Sequence, residues 1–423
     1  MRKFWKRIIT LVVIILIIVF GIYYWPGREA KADVHVEFVM EAYDVISENY
    51  WIKGDMPDYF AQNVASTFKL PVKPTLATND RAGVEKMIID AFKVANSADE
   101  KKEFALKIVG SIMNDLPPVG VNALRSDKEE VAFREGISNI DRSKDLYAQL
   151  NLETGAPIQK VEEAYEKKVK LLENATSTEA KAELEQLVYA KEVLTNQNTK
   201  KLYDEEKIEP TISSEILDST LYFYIGKIAP TTLLEFAQIV EAASTTPRVN
   251  NMIIDLRGNL GGTLDFANHF LGLFLGMNQF AYDLFHQGDH NVQRTMQPRF
   301  VPLAKYKEIA ILADGMTQST AEVISAAFKR FNLGTVVGEK TRGWGTVEAT
   351  IPLKTVIDED VNYALFMVHS LTLRDDNEPI ADKGVDPDVD IKTPTWKGDL
   401  SNYFRSAGLI KNIQNVIVSG PLK

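Results

Sequence analysis

The spacing of hydrophobic positions changes several times along this chain, and each change marks a segment. Residues 8–25 form an apolar run interrupted only by Thr10 and Gly21, with Arg2, Lys3, Lys6 and Arg7 before it. As a helix that run extends roughly 27 Å, close to the thickness of a bilayer core. No polar face is left for water, so residues 1–33 read as a basic flank, a transmembrane helix and a short linker. The basic flank predicts a cytoplasmic start and an extracytoplasmic body beyond Pro26. Ala30-Lys31-Ala32 offers a small-x-small cleavage pattern, so a removed export signal is the alternative.

From 34 to 141 the period is helical. Val36, Val39, Met40, Tyr43 and Ile46 make one stripe and residues 82–94 a second, separated by Pro71, Pro74 and the polar stretch 75–80. Residues 142–208 are richer in Lys and Glu, with helical blocks at 158–172 and 178–194, a loop at 174–178 and a turn at 196–199. By charge pattern alone this is a helical hairpin with solvated faces. From 209 to 395 strand and helix patterns alternate, with strands at 220–228, 251–256, 308–313 and 335–338 and helices at 231–243, 264–274 and 319–331. A β-hairpin closes the segment, its arms at 346–353 and 363–373. Residues 396–423 read as a C-terminal extension. The expected fold class is an α/β C-terminal domain, with a mostly parallel sheet, covering helices and a closing hairpin. An all-α region and the N-terminal transmembrane helix precede it.

Composition narrows the chemistry. There is no cysteine, which removes disulfides, thiolate metal sites and a cysteine nucleophile. A net charge of −10 disfavours nucleic acid, which needs a basic face to neutralise phosphates. His286 and His290 flank Asp289, but Gly288 breaks any helix between them and no third ligand is apparent. No metal and no cofactor are expected.

Three motifs sit where a strand gives way to a loop. Asp255-Leu256-Arg257-Gly258-Asn259-Leu260-Gly261-Gly262 follows an apolar strand. Its paired glycines are either a structural loop or a place where main-chain amides meet one oxygen. Asp314-Gly315-Met316-Thr317-Gln318-Ser319-Thr320-Ala321-Glu322 leads into a helix. Ser319 there is either an N-cap or a nucleophile eased by the helix amides. The third motif runs from Gly338 through Thr341, Gly343, Trp344 and Gly345 to Glu348, and a turn-rich close follows at 383–389.

In this order and spacing, residues 212–392 resemble the C-terminal processing, or tail-specific, serine peptidases. The segment 37–55, which contains YDVISENYW, resembles the helical region before the family's core. The resemblance implies a serine endopeptidase acting on protein or peptide substrates by acyl transfer. It makes Ser319 the nucleophile, and the amides of Gly261 and Thr320, beside Gly262, the oxyanion site. The family's lysine base falls at Trp344, which cannot accept a proton. His369, expected opposite Val347 across the hairpin, is a substitute base, with Glu348 as its relay and Lys340 as a second substitute. Without a base, the chain is a pseudopeptidase that binds peptides or scaffolds partners. Where the family usually carries a PDZ domain, Leu146-Tyr147, Ala164-Tyr165 and Lys201-Leu202-Tyr203-Asp204 resemble a degenerate J-domain. Its histidine-proline-aspartate loop is missing, so a chaperone partner is not expected.

Overall fold

The structure, a computed structural model, describes residues 33–70, 73–141, 144–172 and 177–422. The expected transmembrane helix lies outside these residues. Among the described residues no helix is long and apolar enough to cross a membrane. The chain divides into two compact units. One comprises Met1–Asn49, Gly54–Ser126 and Thr350–Phe366, the other Tyr50–Lys53, Asp127–Ala349 and Met367–Lys423.

The first unit is mainly helical, with α1 (Val34–Asn49), α2 (Met56–Thr67), α3 (Arg81–Phe92) and α4 (Ala98–Asp115). The stripe read from sequence is the buried face of α1, where the Tyr43 ring meets Phe60 of α2 edge-on at 5.0 Å. Asp80 and Ser97 start α3 and α4 by accepting from the amides of Gly83 and Glu100. A short strand, β1 (Ala123–Ser126), was not expected in this all-α stretch. All four of its residues are half-buried, so it shows no period-two alternation.

The second unit opens with α5 (Asp127–Ile137), α6 (Leu146–Gln149), α7 (Ile158–Leu172), α8 (Thr178–Thr195) and α9 (Gln197–Glu206). Leu146, Tyr147, Val161, Ala190, Val193, Leu194 and Tyr203 gather into one core, which explains why the sequence places apolar residues at those positions. The turn expected at 196–199 is the first turn of α9.

Then come β2 (Ile212–Leu217), β3 (Thr220–Ile225), α10 (Thr232–Ser244), β4 (Asn251–Asp255), α11 (Asp265–Leu275), β5 (Phe280–His286) and β6 (Asp289–Arg294). They are followed by β7 (Glu308–Ala313), α12 (Thr320–Arg330), β8 (Thr335–Gly338), β9 (Thr346–Pro352), β10 (Tyr363–Thr372) and β11 (Val389–Asp390), the end of β9 and the start of β10 being counted with the first unit. The chain ends with α13 (Trp396–Tyr403) and α14 (Ala407–Ser419).

One sheet runs in the order β11-β8-β7-β4-β3-β2, parallel except for β2. Its inner strands β3, β4 and β7 are buried and largely apolar on both faces, as parallel strands covered on both sides must be. Phe223, Met252, Ile254 and Ile311 pack under α10, α11 and α12, with Phe236, Phe270 and Phe328. Tyr222, Ile253, Ala310, Leu312 and Val337 pack against Leu400, Phe404, Leu409, Ile413 and Val416 of α13 and α14. Residues 396–423 therefore contain the second cover of the sheet rather than an appendage to it.

The other unexpected element is the β5–β6 hairpin. Gln287 and Gly288 both take positive φ, 51° and 98°, the two-residue turn whose twist suits a hairpin. His286 faces Asp289 across that turn.

Candidate active site

Adjacent parallel strands β4 and β7 deliver two loops side by side, and hydrogen bonds lock them together. Gly258 N–H donates to Asp314 Oδ1 (3.0 Å), Gln318 N–H to the Asn259 carbonyl (2.9 Å) and Thr317 Oγ1 to the Leu256 carbonyl (2.8 Å). Asp314 Oδ1 also accepts from the amides of Met316 and Thr317. Asn259, fully buried, donates through Nδ2 to the Ile225 carbonyl (2.6 Å) and accepts the Gly261 amide on Oδ1 (2.7 Å).

This arrangement brings Gly261 against Ser319. Gly261 has φ +83°, and a Cβ there would sit 2.6 Å from Ser319 Cβ and 3.0 Å from its Oγ. The close approach agrees with the motif, but the donor assignment needs correcting. The Gly261 amide already serves Asn259, so it is not available to an oxyanion. The main-chain amides of Gly262 and Thr320 meet no acceptor among the described residues, and Thr320 Oγ1 donates to the Gly262 carbonyl at 3.0 Å. These two amides are the donors the turn can offer.

Ser319 occupies the cap position of α12 with φ 57° and ψ −129°. A left-handed backbone at a non-glycine residue costs about 1–3 kcal/mol and collects at functional turns. What holds it there is Glu322, one turn into α12 and fully buried. Its Oε2 accepts the amides of Ser319 (2.9 Å) and Trp344 (2.8 Å). Its Oε1 accepts the amide of Gly343 (2.7 Å) and the Thr341 hydroxyl (2.5 Å). Burial pushes the Glu322 carboxyl above its ordinary value, against the pull of these donors. One carboxylate thus fixes both the serine turn and the loop that carries Trp344. The sequence showed Glu322 only as the motif's last residue; its spacing from Ser319, that of a capping box, was the available signal.

None of the three substitute bases hydrogen-bonds Ser319 among the described residues. Lys340 Nζ pairs with Asp386 at 3.2 Å, both side chains more than half exposed. Glu348 Oε1 accepts from Thr346 Oγ1 at 2.5 Å. His369 Nδ1 lies 2.8 Å from Ser370 Oγ, and its ring stacks on His286 at 4.3 Å and 12°. His286 Nδ1 donates to the His369 carbonyl at 2.5 Å. The expectation for His369 treated β10 as pairing with β9 alone. A second sheet pairs β10 with β5 as well as with β9, Leu371 opposite Phe285, and His369 stacks on a residue of β5. Burial, then the neighbouring His286, lowers its affinity for a proton. At the lysine position, Trp344 lies under the Arg342 guanidinium, 5.3 Å away.

The Asp255–Arg257 pair of the first motif faces away from this chemistry. Arg257 binds both oxygens of the buried Asp255 at 2.9 and 2.6 Å and reaches the Val416 carbonyl of α14 at 3.1 Å. Tyr222 O–H donates to Asp255 at 2.8 Å. These residues anchor the turn from behind.

Residues 222–391 match the model of peptidase family S41. A probable CtpA-like serine protease of Staphylococcus aureus (strain bovine RF122 / ET3-1) is 30% identical over 149 residues, 35% of this chain and 29% of that protein. The Staphylococcus saprophyticus counterpart is 29% identical over the same shares. The chain spans less than a third of the length of these curated relatives. A solved photosystem II D1 C-terminal processing protease superposes with a TM-score of 0.50 at 11% identity, covering 85% of this chain and 94% of that one; this likeness concerns the fold. Over residues 222–391 the chain is thus similar to peptidase family S41, in the segment that carries the three motifs.

Proposed function

We propose, from the place of residues 222–391 in peptidase family S41, that the chain is a serine endopeptidase that cleaves protein substrates. The observation that carries this reading is Ser319, held in a left-handed turn at the start of α12 with Gly261 packed against it. In the reaction Ser319 Oγ attacks the scissile carbonyl carbon. The oxyanion is met by the amides of Gly262 and Thr320; its collapse breaks the C–N bond, the amine leaving with the proton that the base took from Ser319, and water then hydrolyses the acyl ester to a carboxylate and free Ser319. The positive end of α12 favours the developing charge. Glu322 is a positioning residue that keeps Ser319 and the Trp344 loop in register.

The proton acceptor is sought among His369, Lys340 and Glu348, since a base joins such a site within about 3 Å or through one water, often only once substrate is bound. Trp344 at the lysine position favours a second reading, a pseudopeptidase that holds polypeptide without cutting it. A fluorophosphonate probe separates the two. An active enzyme labels, Ser319→Ala does not, and His369→Gln, Lys340→Met and Glu348→Gln show which group sets the pH dependence of labelling. Wild-type protein that neither labels nor digests an unfolded protein would sink the peptidase reading.

The apolar run 8–25 supports a membrane-anchored body on the extracytoplasmic side. Resistance to alkaline extraction, together with digestion by protease added to intact cells, is the expected outcome.

A further inference from the structure

The six-stranded sheet ends at β11, a strand of two residues, on one side and at the longer β2 on the other. The β2–β3 turn pairs Leu217 with Thr220, Glu215 with Tyr222 and Ser213 with Tyr224. The Asn251 amide bonds the Ser219 carbonyl, so β3 gives its odd-numbered residues to β4 and its even-numbered ones to β2. Main-chain groups of Ser213, Glu215 and Leu217 therefore face β3, and those of Ser214 and Ile216 face outward. The Ile212 amide is held by Glu235 Oε2 at 3.1 Å, whereas residues 214–216 are exposed. An uncovered edge of this kind is a template for another strand.

Beside that edge, within the same compact unit, lies a cleft of about 760 Å³ between β2 and the helices α8 and α9. Glu192, Glu209, Glu215 and Glu235 line it, against a single lysine, Lys227, whose ammonium donates to the Gly136 carbonyl. Glu209 is 7% exposed; its Oε2 accepts from Tyr189 O–H at 2.6 Å, and its Oε1 is buried without a partner. A buried carboxylate oxygen left unpaired is costly, and a cation in the cleft relieves that cost.

We propose that this cleft holds an extended segment of a second polypeptide, added as a strand along Ser214–Ile216, with a lysine or arginine side chain bound to Glu209. Main-chain bonds to the edge supply affinity for any extended chain, and Glu209 supplies the preference for a basic residue. The site therefore selects unfolded, basic segments. Naming the occupant a substrate rests on the peptidase reading; binding itself does not.

The test is fluorescence anisotropy on the full chain carrying Ser319→Ala, in detergent micelles. The probes are two short labelled unstructured peptides, one with lysine at alternate positions and one with glutamine in their place. The lysine peptide is expected to bind more tightly. Glu209→Gln, which keeps the Tyr189 bond, weakens it about tenfold or more and leaves the glutamine peptide within about twofold. Ser214→Pro, which removes an outward N–H without touching the β3 pairing, weakens both peptides about tenfold. Equal binding of the two peptides, or binding indifferent to Ser214→Pro, overturns the proposal. If Glu209→Gln unfolds, the exposed Ser214 position and the peptide comparison still decide it. Because Ser319 is absent from this assay, a failure of probe labelling in the wild type leaves its result untouched.

Discussion

Gly261 is where one atom decides most. An alanine there must hold φ near +83° and place its Cβ 2.6 Å from Ser319 Cβ, so the serine turn has to shift. A displacement near 1 Å at reacting groups costs about a hundredfold; Gly261→Ala should lower the labelling rate by that order while the melting temperature falls modestly. Glu322→Gln faces its new amide group toward donors that now meet a carboxylate. We expect a stability loss of about 2–3 kcal/mol, read by urea titration, with labelling slowed as well. His369 gives a pH signature. Its proton affinity is lowered in the fold, so protonation favours the unfolded chain. The associated stability is present above the ordinary value of 6.5 and is lost as pH falls toward the lowered folded value. Melting curves from about pH 7.5 to about pH 5 should show this slope, and His369→Gln should flatten it. The approach of the paired-glycine turn to Ser319 was legible because motif spacing survives folding. The surroundings of His369 were not, since they depend on which third strand lies beside β10.

At the scale of elements, agreement follows the strength of the local pattern. Residues 158–172, 308–313 and 335–338 match observed elements end to end, each a clear periodic run bounded by polar or turn residues. Gln287-Gly288 is a serviceable two-residue turn, but β6 is exposed along almost its whole length and carries no apolar alternation to mark the β5–β6 hairpin. Strand β1 left no alternation to find. The aromatic layer under the sheet is the element contact with the largest expected cost: Phe270 stacks on Phe266 at 5.1 Å and meets Phe236 edge-on at 4.9 Å. Phe270→Ala should destabilise the unit by about 3–5 kcal/mol, measured by chemical denaturation.

Across the whole chain, the largest revision concerns residues 396–423. The sequence set them apart because no strand pattern continues there, yet α13 and α14 bury the sheet's second face. Ending the chain at residue 395 should expose Tyr222, Ile253, Leu312 and Val337 and yield insoluble protein; recovery of a soluble, cooperatively melting product would contradict this role. Arg257 reaches through to the Val416 carbonyl while the same loop carries Gly261 to the serine. The rear helix is therefore mechanically continuous with the front of the molecule. A small compound wedged beneath that helix would shift Ser319 from behind, so on the peptidase reading the back of the sheet is a handle for inhibitors that do not compete with substrate.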